Sequence, residues 1–199
     1  MTYFKIFKLS LLAFFINIST SYADSDIKDK IAFGNKSSSI EVYFVSDWFC
    51  PSCKRAEPII EKLYPQIQSQ VAFYFIDYPI NKKSLNYSPY NLAFLVHNKP
   101  QYFTIRNSLI DLADTVDSPT DENMMVIAEK AQTDLKELSY GEVKSGLDYF
   151  GTIVTKYKLN ATPTVVVNNT NTHKFVKFSG SNKISEKAIL KAIADLNTN

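Results

Sequence analysis

Cys50-Pro51-Ser52-Cys53 holds both cysteines of a 199-residue chain. Two thiols at this spacing support three chemistries. A structural disulfide between them closes a very small loop, removes little chain entropy and stabilises weakly. A zinc site needs two more ligands, and the chain's two histidines, His97 and His173, stand alone in separate segments. A redox dithiol uses the spacing directly. A cysteine at a helix N-terminus has its thiolate stabilised by unpaired backbone N–H groups and the helix dipole. Its pKa falls to about 3.5–7.5 from about 8.5. The second cysteine, nearly one turn on, reaches the first sulfur and resolves a mixed disulfide. The redox dithiol is the leading reading, with the structural and metal readings as alternatives.

The neighbours of the pair carry further options. Lys54 and Arg55 follow Cys53 directly. They belong to a solvated helix face or add positive potential beside the thiolate. Trp48 and Phe49 precede Cys50. They serve either as packing or as a contact surface for unfolded substrate chains.

Three kinds of element must position these residues. Ile40-Glu41-Val42-Tyr43-Phe44-Val45 is β-branched and aromatic and reads as a buried strand. After the cysteines, Ala56, Ile59, Ile60, Leu63 and Ile67 share one helical face. Pro51 sits where a first-turn proline is tolerated, and Pro58 is expected to kink the helix. Val71 to Asp77 reads as a second strand. Residues 24–39 are polar and read as a lead-in loop. From 81 to 158 the pattern turns helical: a helix capped by Ser88-Pro89 and reaching His97, a second carrying Phe103 to Leu112, a third opening at Thr120-Asp121-Glu122, and a fourth with Val143, Leu147, Phe150, Val154 and Tyr157 in a stripe. Thr162-Pro163-Thr164 then leads into the strand Val165-Val166-Val167. A polar turn, a partner strand from His173 to Phe178 and a terminal helix from Ile184 to Leu196 follow.

Composition narrows the function classes. Hydrophobic residues make up 45% and charged residues 21%, an ordinary globular balance that excludes wholesale disorder. The net charge of +2 comes from Lys5 and Lys8, since residues 24–199 hold 20 acidic groups and an equal number of basic ones. A nucleic-acid partner is therefore not expected, because such surfaces need clustered excess Lys and Arg. Residues 1–23 run from lysines through an apolar stretch to Ser19-Thr20-Ser21-Tyr22-Ala23. This is the order of a secretory signal peptide, cut after Ala23. The apolar run falls short of the about 20 residues of a membrane span. The mature protein is expected to be soluble in an oxidising compartment, with the bacterial periplasm as the reading. The five glycines form neither a dinucleotide fingerprint nor a phosphate loop. No cofactor and no metal are expected.

At these residues the chain resembles the thioredoxin superfamily. The resemblance rests on Asp47-Trp48-Phe49-Cys50-Pro51-Ser52-Cys53 after a strand, on Lys54, on Pro58, and on Thr162-Pro163-Thr164 before a strand. It implies that Pro163 is cis and lies against the dithiol, and that Thr162 meets substrate backbone. Pro163 lies more than a hundred residues beyond Cys50, and the block between is similar to the helical insertion of DsbA-like thiol–disulfide oxidoreductases. The expected fold is α/β, a thioredoxin fold with an inserted helical block: 1–23 signal peptide, 24–80 first part of the fold, 81–158 insertion, 159–199 second part. The resemblance implies Cys50 and Cys53 as catalytic residues, supported by Pro51, Ser52, Thr162 and Pro163. It also implies cysteine-containing exported proteins as substrates and a DsbB-like membrane partner that reoxidises the pair.

Two departures stand out. Relatives often carry a buried acid six residues before the first cysteine, where this chain has Phe44; Asp47 is a substitute to test. Strong oxidases often have His between the cysteines, where Ser52 brings no charge. A dithiol oxidase is the leading function. A disulfide isomerase or reductase of the same fold is the alternative, which Thr before the cis proline favours. A non-catalytic, chaperone-like binder is the third reading.

Overall fold

The structure is a computed structural model and describes residues 26–198. The expected signal peptide lies outside the described residues. A mixed five-stranded sheet forms the centre, built from β1 (Phe33–Gly34), β2 (Ile40–Ser46), β3 (Ala72–Asp77), β4 (Thr164–Asn169) and β5 (Phe175–Ser179). The spatial order is β1-β3-β2-β4-β5. β2 and β3 are parallel, and every other neighbouring pair is antiparallel. All seven residues of β2 are buried, as expected of a central strand covered on both faces.

The helices are α1 (26–31), α2 (Pro51–Ile67), α3 (Ser88–His97), α4 (Tyr102–Leu112), α5 (Asp121–Lys130), α6 (Tyr140–Lys156) and α7 (Glu186–Asn197). Side-chain alternation along the strands divides them between the two sheet faces. Phe44, Phe73 and Phe75 pack together on one face, where Tyr64 of α2 and Tyr102 and Phe103 of α4 meet them. Tyr43 and Tyr74 stack on the other face, met by Tyr149 of α6 and by Tyr157 at that helix's end. α7 packs on α2, β4 and β2. The crossover from β3 to β4 carries α3 to α6, so a helical block stands where the sequence pattern placed one. α3 and α6 pack closely at Gly146, where an added Cβ would lie 2.6 Å from the Leu92 side chain.

Two local expectations change. Residues 24–39 are not all loop: 26–31 are helical and Phe33–Gly34 forms the edge strand β1. Ile27 and Ile31, four apart, bury one face of that short helix among otherwise polar residues. Ser88 is not the cap of α3 but its first residue; Tyr87 holds the cap position and makes no side-chain cap bond. α2 runs on through Pro58 and also through Pro65 as one helix. The caps at Thr120 and Ser139 are full capping boxes, closed by Asn123 and Glu142.

Candidate active site

Cys50 is the N-cap of α2, with extended backbone at φ −89° and ψ 113°, and Pro51 opens the helix. Proline fits there because its missing N–H would have no helical partner. The Cys50 carbonyl receives the Cys53 and Lys54 N–H groups at 3.0 and 3.2 Å, so both sulfurs ride on the first turn. Both cysteines are free thiols. Cys50 is half-buried and Cys53 is 2% exposed, so solution chemistry reaches Cys50 alone. The Thr162–Pro163 peptide is cis, and the Thr162 carbonyl faces Cys50 Sγ at 3.6 Å. β4 begins directly after Pro163 and pairs with β2, which fixes the proline loop against the dithiol.

Environment separates the two thiols. Burial pushes Cys50 up, but hydrogen bonding to the Thr162 side chain, the Cys53 thiol and the Cys53 and Ser52 backbone outweighs it, leaving Cys50 below the ordinary thiol range. Burial pushes the Cys53 thiol far up; the nearby Cys50 sulfur adds to this, and the Asp47 N–H only partly offsets it. That N–H donates to Cys53 Sγ at 3.4 Å. The pair is thus a stabilised, accessible sulfur backed by a buried thiol that holds its proton.

Asp47 builds the turn before the cysteines. Its Oδ1 accepts from the Phe49 N–H at 2.9 Å and from Ser84 Oγ at 2.8 Å. Its Oδ2 accepts from the Asn81 N–H at 2.7 Å. The carboxylate therefore ties the active-site turn to the start of the helical block, and Asp47 meets Cys53 through its backbone. Trp48 is 3% exposed, stacked on Tyr87, and donates through Nε1 to Asp77 at 3.2 Å. Of the two roles open to Trp48, packing or substrate contact, the burial favours packing: the indole is core. Phe49 does reach the surface. It lines a groove of about 380 Å³ beside Cys50, with Ile80, Asn81, Asn160 and Thr162. Ile80 is 54% exposed at its rim.

Lys54 is not free to face the thiolate; its ammonium pairs with Asp114 and donates to the Ile110 carbonyl at 3.4 Å. Arg55 donates through Nη2 to Ser52 Oγ at 2.8 Å, bringing a permanent charge to the middle of the motif. Beneath the turn lies a charged cluster that sequence reasoning missed. Arg106 of α4, 2% exposed, grips Glu57 of α2 through Nε and Nη2 at 2.8 and 2.7 Å. It also donates to Ser46 Oγ at 2.7 Å and to the Tyr102 hydroxyl at 3.1 Å. Asp77, buried beside it, accepts from Asn91 at 3.0 Å; burial pushes its carboxyl up to about 6 against the pull of Arg106. The overlooked signal was positional. Glu57 falls between Ala56 and Ile60, and Arg106 between Ile105 and Leu109, so each charge sits on an apolar helical face. A buried charge requires a partner.

Among the described residues no group of three or more His, Cys, Asp or Glu side chains could hold a metal ion. No helix among them is long and apolar enough to cross a membrane.

The model of a family described as Thioredoxin matches residues 26–192. The chain belongs to the thioredoxin family. Solved structures share the fold at low identity. A periplasmic thioredoxin-like protein from Salmonella enterica serovar Typhimurium is 14% identical, with a TM-score of 0.63 over 85% of this chain and 92% of that one. The catalytic domain of Proteus mirabilis ScsC is 16% identical, with a TM-score of 0.64 over 91% and 98%. BdbD from Bacillus subtilis is 16% identical, with a TM-score of 0.59 over 84% and 92%. Wolbachia pipientis alpha-DsbA1 is 13% identical, with a TM-score of 0.64 over 84% of this chain and 90% of that one. A search of curated proteins by sequence finds no match.

Proposed function

We propose that the protein is an exported thiol–disulfide oxidoreductase that introduces disulfides into substrate proteins. The observation that carries this reading is the asymmetry of the dithiol: Cys50 reachable and held low, Cys53 buried and held high. The reaction starts from the Cys50–Cys53 disulfide. A substrate thiolate attacks Cys50 Sγ, the internal S–S bond breaks, and Cys53 leaves and takes up a proton. A second substrate thiolate then attacks the substrate sulfur of the mixed disulfide. Cys50 leaves as a thiolate, which its hydrogen bonds stabilise, and a lower leaving-group pKa speeds that step. The substrate loses two electrons, and the enzyme dithiol holds them. Because Cys53 keeps its proton, it competes poorly for the mixed disulfide, and this favours the second substrate thiol.

The groove lined by Phe49, Ile80 and Thr162 offers an apolar rim and a backbone edge to an extended cysteine-containing chain. The order of residues 1–23 supports export, and a membrane redox partner would accept the two electrons and restore the disulfide. Thr162 before the cis proline favours the isomerase as the second reading. One experiment separates them. The oxidised protein is mixed with a reduced two-cysteine peptide, and separately the reduced protein with a protein carrying scrambled disulfides. The oxidase reading expects one disulfide formed per enzyme in the first mixture, no reaction with Cys50→Ser, and slow rearrangement in the second. Fast rearrangement with a sluggish first reaction would instead favour the isomerase.

A further inference from the structure

A cavity of about 650 Å³ lies away from the dithiol, between β1, the C-terminal half of α2 and the start of α4. Tyr64, at its wall, is 14 residues along α2 from Cys50, or about 20 Å at 1.5 Å per residue. Neither redox step uses it. Its apolar wall is Phe33, Tyr64 and Phe103, with ring centroids of 6.1 Å for the first pair and 5.2 Å for the second.

Two ammonium groups converge on this wall. Lys99, half-buried, sits with Nζ 5.7 Å from the Phe33 ring centroid. Lys36 reaches in from the turn after β1, held by a 2.7 Å bond from its Nζ to the Asp29 carbonyl. That turn is built for the approach: Gly34 has φ +70°, and a Cβ there would lie 2.7 Å from the Gln68 and Val71 carbonyl oxygens. Burial pushes Lys99 down to about 8, the adjacent Lys36 charge adds to this, and the Asp29 charge only partly opposes it. No carboxylate pairs with Lys99 among the described residues. The remaining charge on the lining is Glu61, which accepts from Asn107 at 3.4 Å. On the lining itself two cations face one anion, and Asp29, which lies off the lining, is the other acid whose charge reaches Lys99. Holding two ammonium groups together is unfavourable, the Phe33 ring face offsets part of that, and an anion between them relieves the rest.

We infer that this cavity binds an organic monoanion, a carboxylate carried on an aromatic or similar apolar body, with Lys36 and Lys99 on the carboxylate and Phe33, Tyr64 and Phe103 around the body. The volume suits a ligand of that size. The same chemistry belongs to a free aromatic acid and to the C-terminal residue of a peptide ending in an aromatic side chain.

The test titrates isotope-labelled full-length protein with phenylacetate, phenylacetamide, Gly-Phe and Gly-Phe-amide, following backbone amide shifts by NMR. Saturable shifts at Gly34, Lys36 and Lys99 are expected with at least one acid, and weaker binding by at least about tenfold with its amide, the worth of a charge-assisted hydrogen bond. Phenylacetate alone would mark a small-acid site, and Gly-Phe alone a chain-terminus site. Lys99→Met should weaken binding by a similar factor while the rate of Cys50 alkylation stays unchanged. If Lys99→Met loses its dispersed spectrum, Lys36→Met decides in its place. Absence of saturable shifts with both acids, amides that bind as tightly as acids, or unchanged affinity in the deciding lysine variant would overturn the proposal.

Discussion

Replacing Arg106 by Met removes a guanidinium that joins three parts of the molecule. Its two bonds to Glu57 hold α4 on α2, and its bond to Ser46 Oγ reaches the end of β2, one residue before the active-site turn. It also lies 4.9 Å from the Trp48 ring centroid and 4.7 Å from that of Phe75. Met restores much of the stem but leaves the Glu57 carboxylate buried without a cation. Removing one partner of such a pair costs about 3–5 kcal/mol, out of the roughly 5–15 kcal/mol that hold a domain together. Urea unfolding followed by Trp48 fluorescence reads this directly, because Trp48 is the chain's single tryptophan and is buried. Arg106→Met is expected to lose at least about 3 kcal/mol. Glu57→Met combined with Arg106→Met removes both charges and should be less destabilised than the sum of the two single changes by about 1–3 kcal/mol. A loss under about 1 kcal/mol for Arg106→Met, or strict additivity in the double variant, would refute the reasoning.

Three further outcomes are expected. Iodoacetamide should label Cys50 well before Cys53 in the native protein, with a rate–pH midpoint below the ordinary thiol range; equal labelling would contradict the burial argument. Asp47→Ala leaves the Phe49 and Asn81 N–H groups and Ser84 Oγ without their acceptor, so unfolding should show a loss of about 2–4 kcal/mol. Asp77 binds its proton more readily in the native state, at about 6, than its ordinary value of 3.8 allows in the unfolded chain. Its contribution to stability therefore falls as pH rises from about 4 to about 6, by on the order of 3 kcal/mol, and stays reduced above that. Asp77→Asn should lack this component, and identical stability–pH slopes for the two proteins would exclude it.

What the sequence shows plainly is what periodicity controls. β2 and β3 are β-branched and aromatic runs, α2 and α6 carry stripes, and the cysteine spacing places both sulfurs on one turn, so fold class and dithiol were legible. The proline loop was legible through resemblance. The rest depends on long-range pairing that local pattern does not encode. Trp48 is equally consistent with core and surface until Tyr87 and Asp77, contributed by the helical block and β3, close over it. Asp47 reads as a turn acid, and only the return of Asn81 and Ser84 makes it a tether. α1 escaped notice because just two buried isoleucines mark its face. Lys36 and Lys99 are 63 positions apart, and the fold alone brings them to one cavity.

The central claim is that this dithiol favours its reduced form enough to oxidise substrates. The reduction potential of the Cys50–Cys53 couple, measured by equilibration with glutathione buffers, tests it most directly. A thiolate held low at Cys50 stabilises the reduced protein, so the account predicts a value on the oxidising side of about −200 mV, toward the about −120 mV of strong oxidants. A value near −270 mV, in the range of a reductant, would contradict it.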